Sequence, residues 1–215
     1  MYYKYLKLYI KNNNKMKVIQ SQKIILPKYK PAKLHETAFT MSFENMFNIK
    51  KAYKEVIGLN NIDHISINIV NEKNEMSIIS LNPSIAYSII DDGSYIYNGS
   101  ISPDFYRNKD FYTWEEAYDP NFKSLLKGKM QIATGIAEGC VLTKKTNNFY
   151  VLFSFASKSK NIEFKKHIYD NKQLFYKIGE HCLDLIKPIY NNYATDESEL
   201  ILTRPKLKLV VNNEV

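Results

Sequence analysis

The run Phe149-Tyr150-Val151-Leu152-Phe153-Ser154-Phe155-Ala156 limits the folds open to this chain more than any other segment. It is apolar on nearly both faces of an extended strand, which predicts the central strand of a sheet. It follows residues 140–143 across the turn Lys144-Lys145-Thr146-Asn147-Asn148, so the two form a hairpin. A second hairpin lies upstream. Ile65, Ile67 and Ile69 alternate through residues 62–70, the mark of a half-buried strand; Asn71-Glu72-Lys73-Asn74 turns the chain, and Met76, Ile78 and Leu81 return it.

Helical patterns surround these strands. Residues 35–57 read as an amphipathic helix on Phe39, Phe43, Met46, Phe47 and Tyr53, ended by Gly58. Asn82-Pro83 opens a short helix through Ile85, Ala86, Ile89 and Ile90, since Asn suits an N-cap and Pro the first helical position. Residues 94–118 are aromatic-rich and without clear period, suited to covering a core or lining a pocket. Asp119-Pro120 repeats the cap signal before a stripe of Phe122, Leu125, Leu126, Met130 and either Ile132 or Ala133, with Gly139 ending it. Residues 161–193 read as one long helix with a kink at Pro188, apolar at Phe164, Ile168, Leu174, Phe175, Ile178, Cys182, Leu185, Ile186 and Ile189. Helices gathered around a mainly antiparallel sheet give an α+β fold, an α/β/α sandwich of the PAS or GAF kind.

At 215 residues the chain is one domain with tails: a basic arm over 1–33, the sandwich over 34–193 and a tail over 194–215. The net charge of +8 belongs to the arm. Residues 1–33 hold nine Lys and no acid, and removing nine from 30 basic residues leaves 21 against 22 acids, or −1 for the rest. The strands carry few Lys, so specific nucleic-acid binding is not expected. The arm is either a solvated tail or a contact for anionic lipid, phosphate or an acidic partner. Met16 is an alternative start that would remove four of those Lys. The arm lacks the apolar core of a secretory signal, and no apolar run has the length of a membrane span. Two Cys make no disulfide scaffold, so a reducing cytosol is the expected compartment.

Residues 81–157 carry a resemblance. Leu81-Asn82-Pro83-Ser84-Ile85-Ala86-Tyr87 after the first hairpin, Ile101-Ser102-Pro103-Asp104-Phe105, Phe111-Tyr112-Thr113-Trp114, Gly135-Ile136-Ala137-Glu138-Gly139-Cys140-Val141-Leu142 and the strand from Phe149 to Ser157 follow one another in a way that resembles the autoinducer-binding domain of LuxR-type quorum-sensing regulators. The resemblance implies a bacterial, cytoplasmic, sensor-like domain binding a small amphipathic molecule, with dimerisation through the 161–193 helix. It also marks departures. Ser102 stands where the family has an Asp that takes the signal's amide, with Asp104 two residues later. The preceding helix offers Ile85, Ile89 and Tyr87 where the family has a Trp and a Tyr. Nothing after Tyr193 resembles the family's helix-turn-helix module, so a domain without a DNA-binding output is expected.

The candidate ligand-binding residues are Tyr87, Ile89, Tyr97, Ser102, Asp104, Tyr112, Trp114 and Gly139, with Trp114 as an aromatic wall and Ser102 or Tyr87 as a polar contact. Ser102 and Asp104 also suit plain loop capping. No phosphate loop, GxSxG or HExxH motif is present, no cofactor is implied and no metal site is expected. Two alternatives stand beside the sensor reading. One is a protein-interaction module, a truncated regulator or an exported effector, whose own Tyr and Phe side chains fill its pocket. The other is a Cys-dependent enzyme pairing Cys140 with a His.

Overall fold

The computed structural model describes residues 26–38, 40–146, 148–160 and 163–193, together with the backbone of four short strands in the arm. Those four are β1 (Lys4–Tyr5), β2 (Tyr9–Asn12), β3 (Lys15–Val18) and β4 (Lys23–Ile24); β1 pairs with β4 and β2 with β3, both antiparallel. The tail beyond Tyr193, with its expected boundary, lies outside the described residues.

The body is built on a six-stranded sheet in the order β5-β7-β6-β10-β9-β8. Its strands are β5 (Lys33–Leu34), β6 (His64–Val70), β7 (Glu75–Ser80), β8 (Phe111–Thr113), β9 (Glu138–Thr146) and β10 (Phe149–Ser157). All neighbours are antiparallel except β5 with β7. The apolar run is β10, and it sits inside the sheet between β6 and β9 as its composition requires. Each face of the sheet carries a separate core. One, against α1 (Thr40–Glu44), α2 (Met46–Tyr53), α7 (Phe164–Asp170) and α8 (Lys172–Asn191), joins Ile65, Ile67, Ile69, Phe153 and Phe155 to Phe175, Cys182 and Ile186. The other joins Ile78, Val141 and Leu152 to side chains of α3 (Pro83–Ile90), α4 (Pro103–Tyr106), α5 (Trp114–Ala117) and α6 (Lys123–Met130). The fold is thus the mixed α/β sandwich with a mainly antiparallel sheet.

Local chemistry explains most boundaries. Asn82 caps α3 by accepting the Ser84 N–H at 3.3 Å, Pro83 fills the first turn, and Gly93 in the left-handed region (φ 75°) turns the chain after it. Four expectations are corrected. The 35–57 helix is two: the chain bends at Asn45, whose amide Nδ2 donates to the Met41 carbonyl at 3.0 Å and to the Tyr193 hydroxyl at 2.9 Å. The bend turns Met41, Ile49 and Tyr53 inward and leaves Phe43, Met46 and Phe47 exposed; Phe39 lies outside the described residues. The 161–193 helix breaks at Asn171, not at Pro188, which stays inside α8. Asn171 turns its amide onto the His167 carbonyl at 2.9 Å, a local bond that competes with helix continuation.

Asp119 caps no helix. Fully buried, it accepts the Asn121 N–H at 2.9 Å and the Lys28 N–H at 2.8 Å, which ties the chain before β5 to the body. The turn after α6 ends at Gly135 (φ 72°) and not at Gly139. The aromatic stretch contains β8, a three-residue edge strand paired to β9.

Gly179 lets α8 lie close on β10. A Cβ there would stand 2.5 Å from Cγ of Phe153, a ring atom that cannot move without disturbing the core. Ala would raise helix propensity by about 1 kcal/mol, but overpacking of this kind costs about 1–3 kcal/mol, so the clash wins. Gly179→Ala is expected to lower the urea midpoint with the denaturant slope unchanged. A higher midpoint would show that the helix does not sit this close.

Candidate functional site

The even-numbered residues of β6, His64, Ser66, Asn68 and Val70, share the face opposite Ile65, Ile67 and Ile69. Ser66 is paired across the ladder with Ser154 of β10 on one side and Ser80 of β7 on the other. A row of three hydroxyls therefore crosses the middle of the sheet. α3, α5 and α6 cover this face, and between them and the sheet a partly open space of about 50 Å³ remains. Ile85 and Ile89 of α3, Trp114 of α5 and Met130 of α6 form its apolar walls, while Asn98 and Ser100 enter from the short 3₁₀ turns before α4.

Most polar atoms here are satisfied. The Trp114 indole Nε1–H donates to the Ser154 hydroxyl at 2.9 Å, and Ser66 donates to the Asn68 side-chain oxygen at 2.9 Å. Asn98 accepts the Ser100 N–H at 3.1 Å and turns its amide toward the Met130 sulfur at 3.7 Å. His64 is the exception. It is 4% exposed, its ring stands edge-on to Trp114 at 6.4 Å, and its Nδ1 is buried with no hydrogen-bond partner. Burial, helped by the positive charge of Lys158, lowers its pKa to about 4, so the imidazole is neutral at pH 7.

Of the residues singled out in the sequence, Ile89 and Trp114 line this space. Gly139 lies against the indole of Trp114, where any Cβ would collide with the ring. Tyr112 stands one layer back, fully buried, donating to the Ser100 carbonyl at 2.9 Å. The other four are elsewhere. Tyr87 is 45% exposed on the outer side of α3, bonded to Asp91 at 2.9 Å. Tyr97 stacks on Phe122 with ring centres 3.5 Å apart. Ser102 caps α4 by accepting the Asp104 N–H at 3.2 Å, with the Asp104 side chain facing solvent.

Sequence reasoning missed His64, Ser66, Asn68, Ser80, Ser154, Asn98 and Ser100. A signal for the first three existed. A strand paired to a two-faced central strand is itself covered on both sides, so its polar face had to be buried.

The thiols belong to the other core. Cys140 and Cys182 are fully buried there, and burial pushes each up to about 12, the opposite of an activated nucleophile. His64 is on the other side of the sheet from Cys140. His167 and His181 stand on separate helices, and no cluster of three metal-ligating side chains exists among the described residues.

No protein-family model matches the sequence, and no curated protein matches it. Ten chains in solved structures are similar, among them the following two. Escherichia coli SdiA is 13% identical over 75% of this chain and 68% of that one, with a TM-score of 0.48. SdiA in complex with octanoyl-rac-glycerol is 12% identical over 75% and 63%, with a TM-score of 0.45.

The buried neutral imidazole predicts an acid-sensitive fold. His64 titrates near 6.5 when unfolded and near 4 when folded. Its contribution is complete above the unfolded value and is lost as pH falls from there toward 4, by about 3 kcal/mol in the limit. Urea unfolding at neutral pH and at about pH 4.5 should show wild type losing more stability than His64→Gln. Equal losses would mean that His64 is solvated.

Proposed function

We propose that this chain is a ligand-binding, sensor-like domain whose site is the space between the hydroxyl row of the sheet and α3. One observation carries the reading: polar side chains from β6, β7, β10 and the turns before α4 converge on a partly open, otherwise apolar space, and one of them, His64, has a buried atom with no partner. A few directed polar groups in an apolar enclosure are what a small-molecule site requires. The ligand implied is amphipathic, its polar end among His64, Ser66, Asn68 and Ser154 and its apolar end against Ile85, Ile89 and Trp114. The likeness of residues 81–157 to LuxR-type autoinducer-binding domains supports the same reading.

The space is about 50 Å³, enough for a few waters and well below the several hundred Å³ of a typical ligand pocket. Binding therefore requires α3 to move outward. The turns at Asn82 and Gly93 bound the moving part, and Lys129 holds it shut by bonding the Ser88 carbonyl at 3.1 Å and pairing with Asp92.

The small volume also favours a second reading, a protein-interaction module with a self-filled interior. Exposed Phe43, Met46, Phe47 and Tyr87, with Phe43 edge-on to Tyr87 at 5.8 Å, would then belong to its contact surface. Among the described residues no helix is long and apolar enough to cross a membrane.

Trp114 is the only Trp and walls the site, so its emission is a direct probe. Titration with medium-chain acyl lactones and alcohols should change it saturably, with the added mass retained in native mass spectrometry. Ile89→Phe, which fills the space, should abolish the change while leaving the circular dichroism intact. A flat response to every compound, with a dimer in light scattering, would favour the interaction reading instead.

A further inference from the structure

α2 presents to solvent a pattern that has no part in the space beneath α3. Its Ile49 and Tyr53 are fully buried in the core beneath α8, while Phe47 is 79% exposed, the most exposed large apolar side chain among the described residues. Lys50, Lys51 and Lys54 follow Phe47 by three, four and seven residues. At about 3.6 residues per turn they fall within about 60° of it, on the same outward side. Lys54 stands just past α2 but keeps helical backbone (φ −54°, ψ −38°), so the stripe is continuous. All three Lys are exposed, and none has an ion-pair partner among the described residues. The neighbouring Met46 and Phe43 are 41% and 42% exposed.

We propose that this face of α2 docks on an anionic lipid surface. Phe47, with Met46 beside it, enters the boundary between head groups and acyl chains, and Lys50, Lys51 and Lys54 meet the lipid phosphates. The proposal does not depend on whether the space beneath α3 takes a ligand.

An exposed phenyl ring alone fits a protein partner as well as a bilayer. The charges around it decide. The core of a protein interface is depleted in Lys, because an ammonium covered by a partner loses its hydration. A bilayer makes no such demand: the ring enters the apolar boundary while each Lys, on its long flexible stem, keeps its ammonium among hydrated phosphates. An anionic leaflet then adds attraction for each Lys close to it. Residues 46–54 hold three Lys and no acid. Of the two acids that flank them, Glu44 accepts the Tyr193 hydroxyl, and Glu55 is open to solvent. The nine Lys of residues 1–33 join the body at β5, ahead of α1, and attract the same lipid by charge alone. What separates the two contributions is the apolar anchor.

Co-sedimentation of the full chain with vesicles tests this, using phosphatidylcholine alone and phosphatidylcholine mixed with phosphatidylglycerol. Wild type should bind the mixed vesicles more tightly than the neutral ones. Phe47→Ser should weaken that binding by about tenfold through the lost apolar contact. Lys50→Gln, Lys51→Gln and Lys54→Gln together should weaken it by about tenfold or more. These side chains are exposed, so circular dichroism should be unchanged in every variant. Phe47→Trp should bind like wild type, with emission that shifts to the blue on the mixed vesicles and is quenched by lipids brominated on their acyl chains, above the constant signal of buried Trp114. Equal binding by wild type and Phe47→Ser would overturn the proposal and leave only the charge of the arm. So would an absence of binding to the mixed vesicles, or a dimer in light scattering that Phe47→Ser disperses, which would give this face to a second copy of the chain.

Discussion

The pairing of β6 with β10 is the interaction on which the rest of the molecule depends. Their register sets Phe153 opposite Ile67 and Ser154 opposite Ser66. Because β10 is interior to the sheet and buried on both faces, the residues of β6 beside it, with Asn68 only partly buried, are also drawn under a layer of helices. One face then becomes a continuous aliphatic and aromatic core beneath α8. The other inherits His64, Ser66 and Asn68 and has to be covered all the same. The site follows from that: it is the place where burial and polarity meet because strand alternation leaves no other arrangement.

The polar face is held by hydrogen bonds between its own side chains. Trp114 is oriented by its N–H to Ser154 and given room by Gly139, so wall and floor of the space are fixed together. Ser66 donates to the Asn68 side-chain oxygen. Leaving Nδ1 of His64 without a partner in such a setting is unfavourable, since a buried unsatisfied polar atom forfeits its hydration for nothing. An occupant that bonds it would restore the loss. In the proposed reading α3 is the cover that moves, lying between a capped start and a glycine turn and presenting only aliphatic contacts to the space.

The architecture was largely readable in the amino-acid sequence. Both hairpins, the Asn82-Pro83 helix and the interior position of β10 follow from period and punctuation. The helix registers were harder. The 35–57 segment carries apolar residues on more than one side, and only the Asn45 bend, bonded to the distant Tyr193, decides that Met41, Ile49 and Tyr53 face inward. The break at Asn171 is a side-chain bond to backbone, invisible to periodicity. The site was half readable. Trp114 and Ile89 were found because an aromatic or aliphatic wall is conspicuous. The floor was missed because His64, Ser66 and Asn68 look like a solvent face when β6 is read alone, and Ser154 is one polar residue within an apolar run. Ser102 and Asp104 were drawn in by resemblance, and their geometry is that of a helix cap.

The central claim is that the hydroxyl row and His64 form the floor of a ligand site beneath a movable α3. A crystal structure of the protein saturated with a medium-chain alcohol tests it most directly. The account predicts the head group bonded to His64 and to Ser66 or Ser154, the chain between Ile89 and Trp114, and α3 displaced outward. A ligand seated instead on the exposed Phe43 and Tyr87 surface, with α3 in place and the space beneath it unchanged, would contradict it.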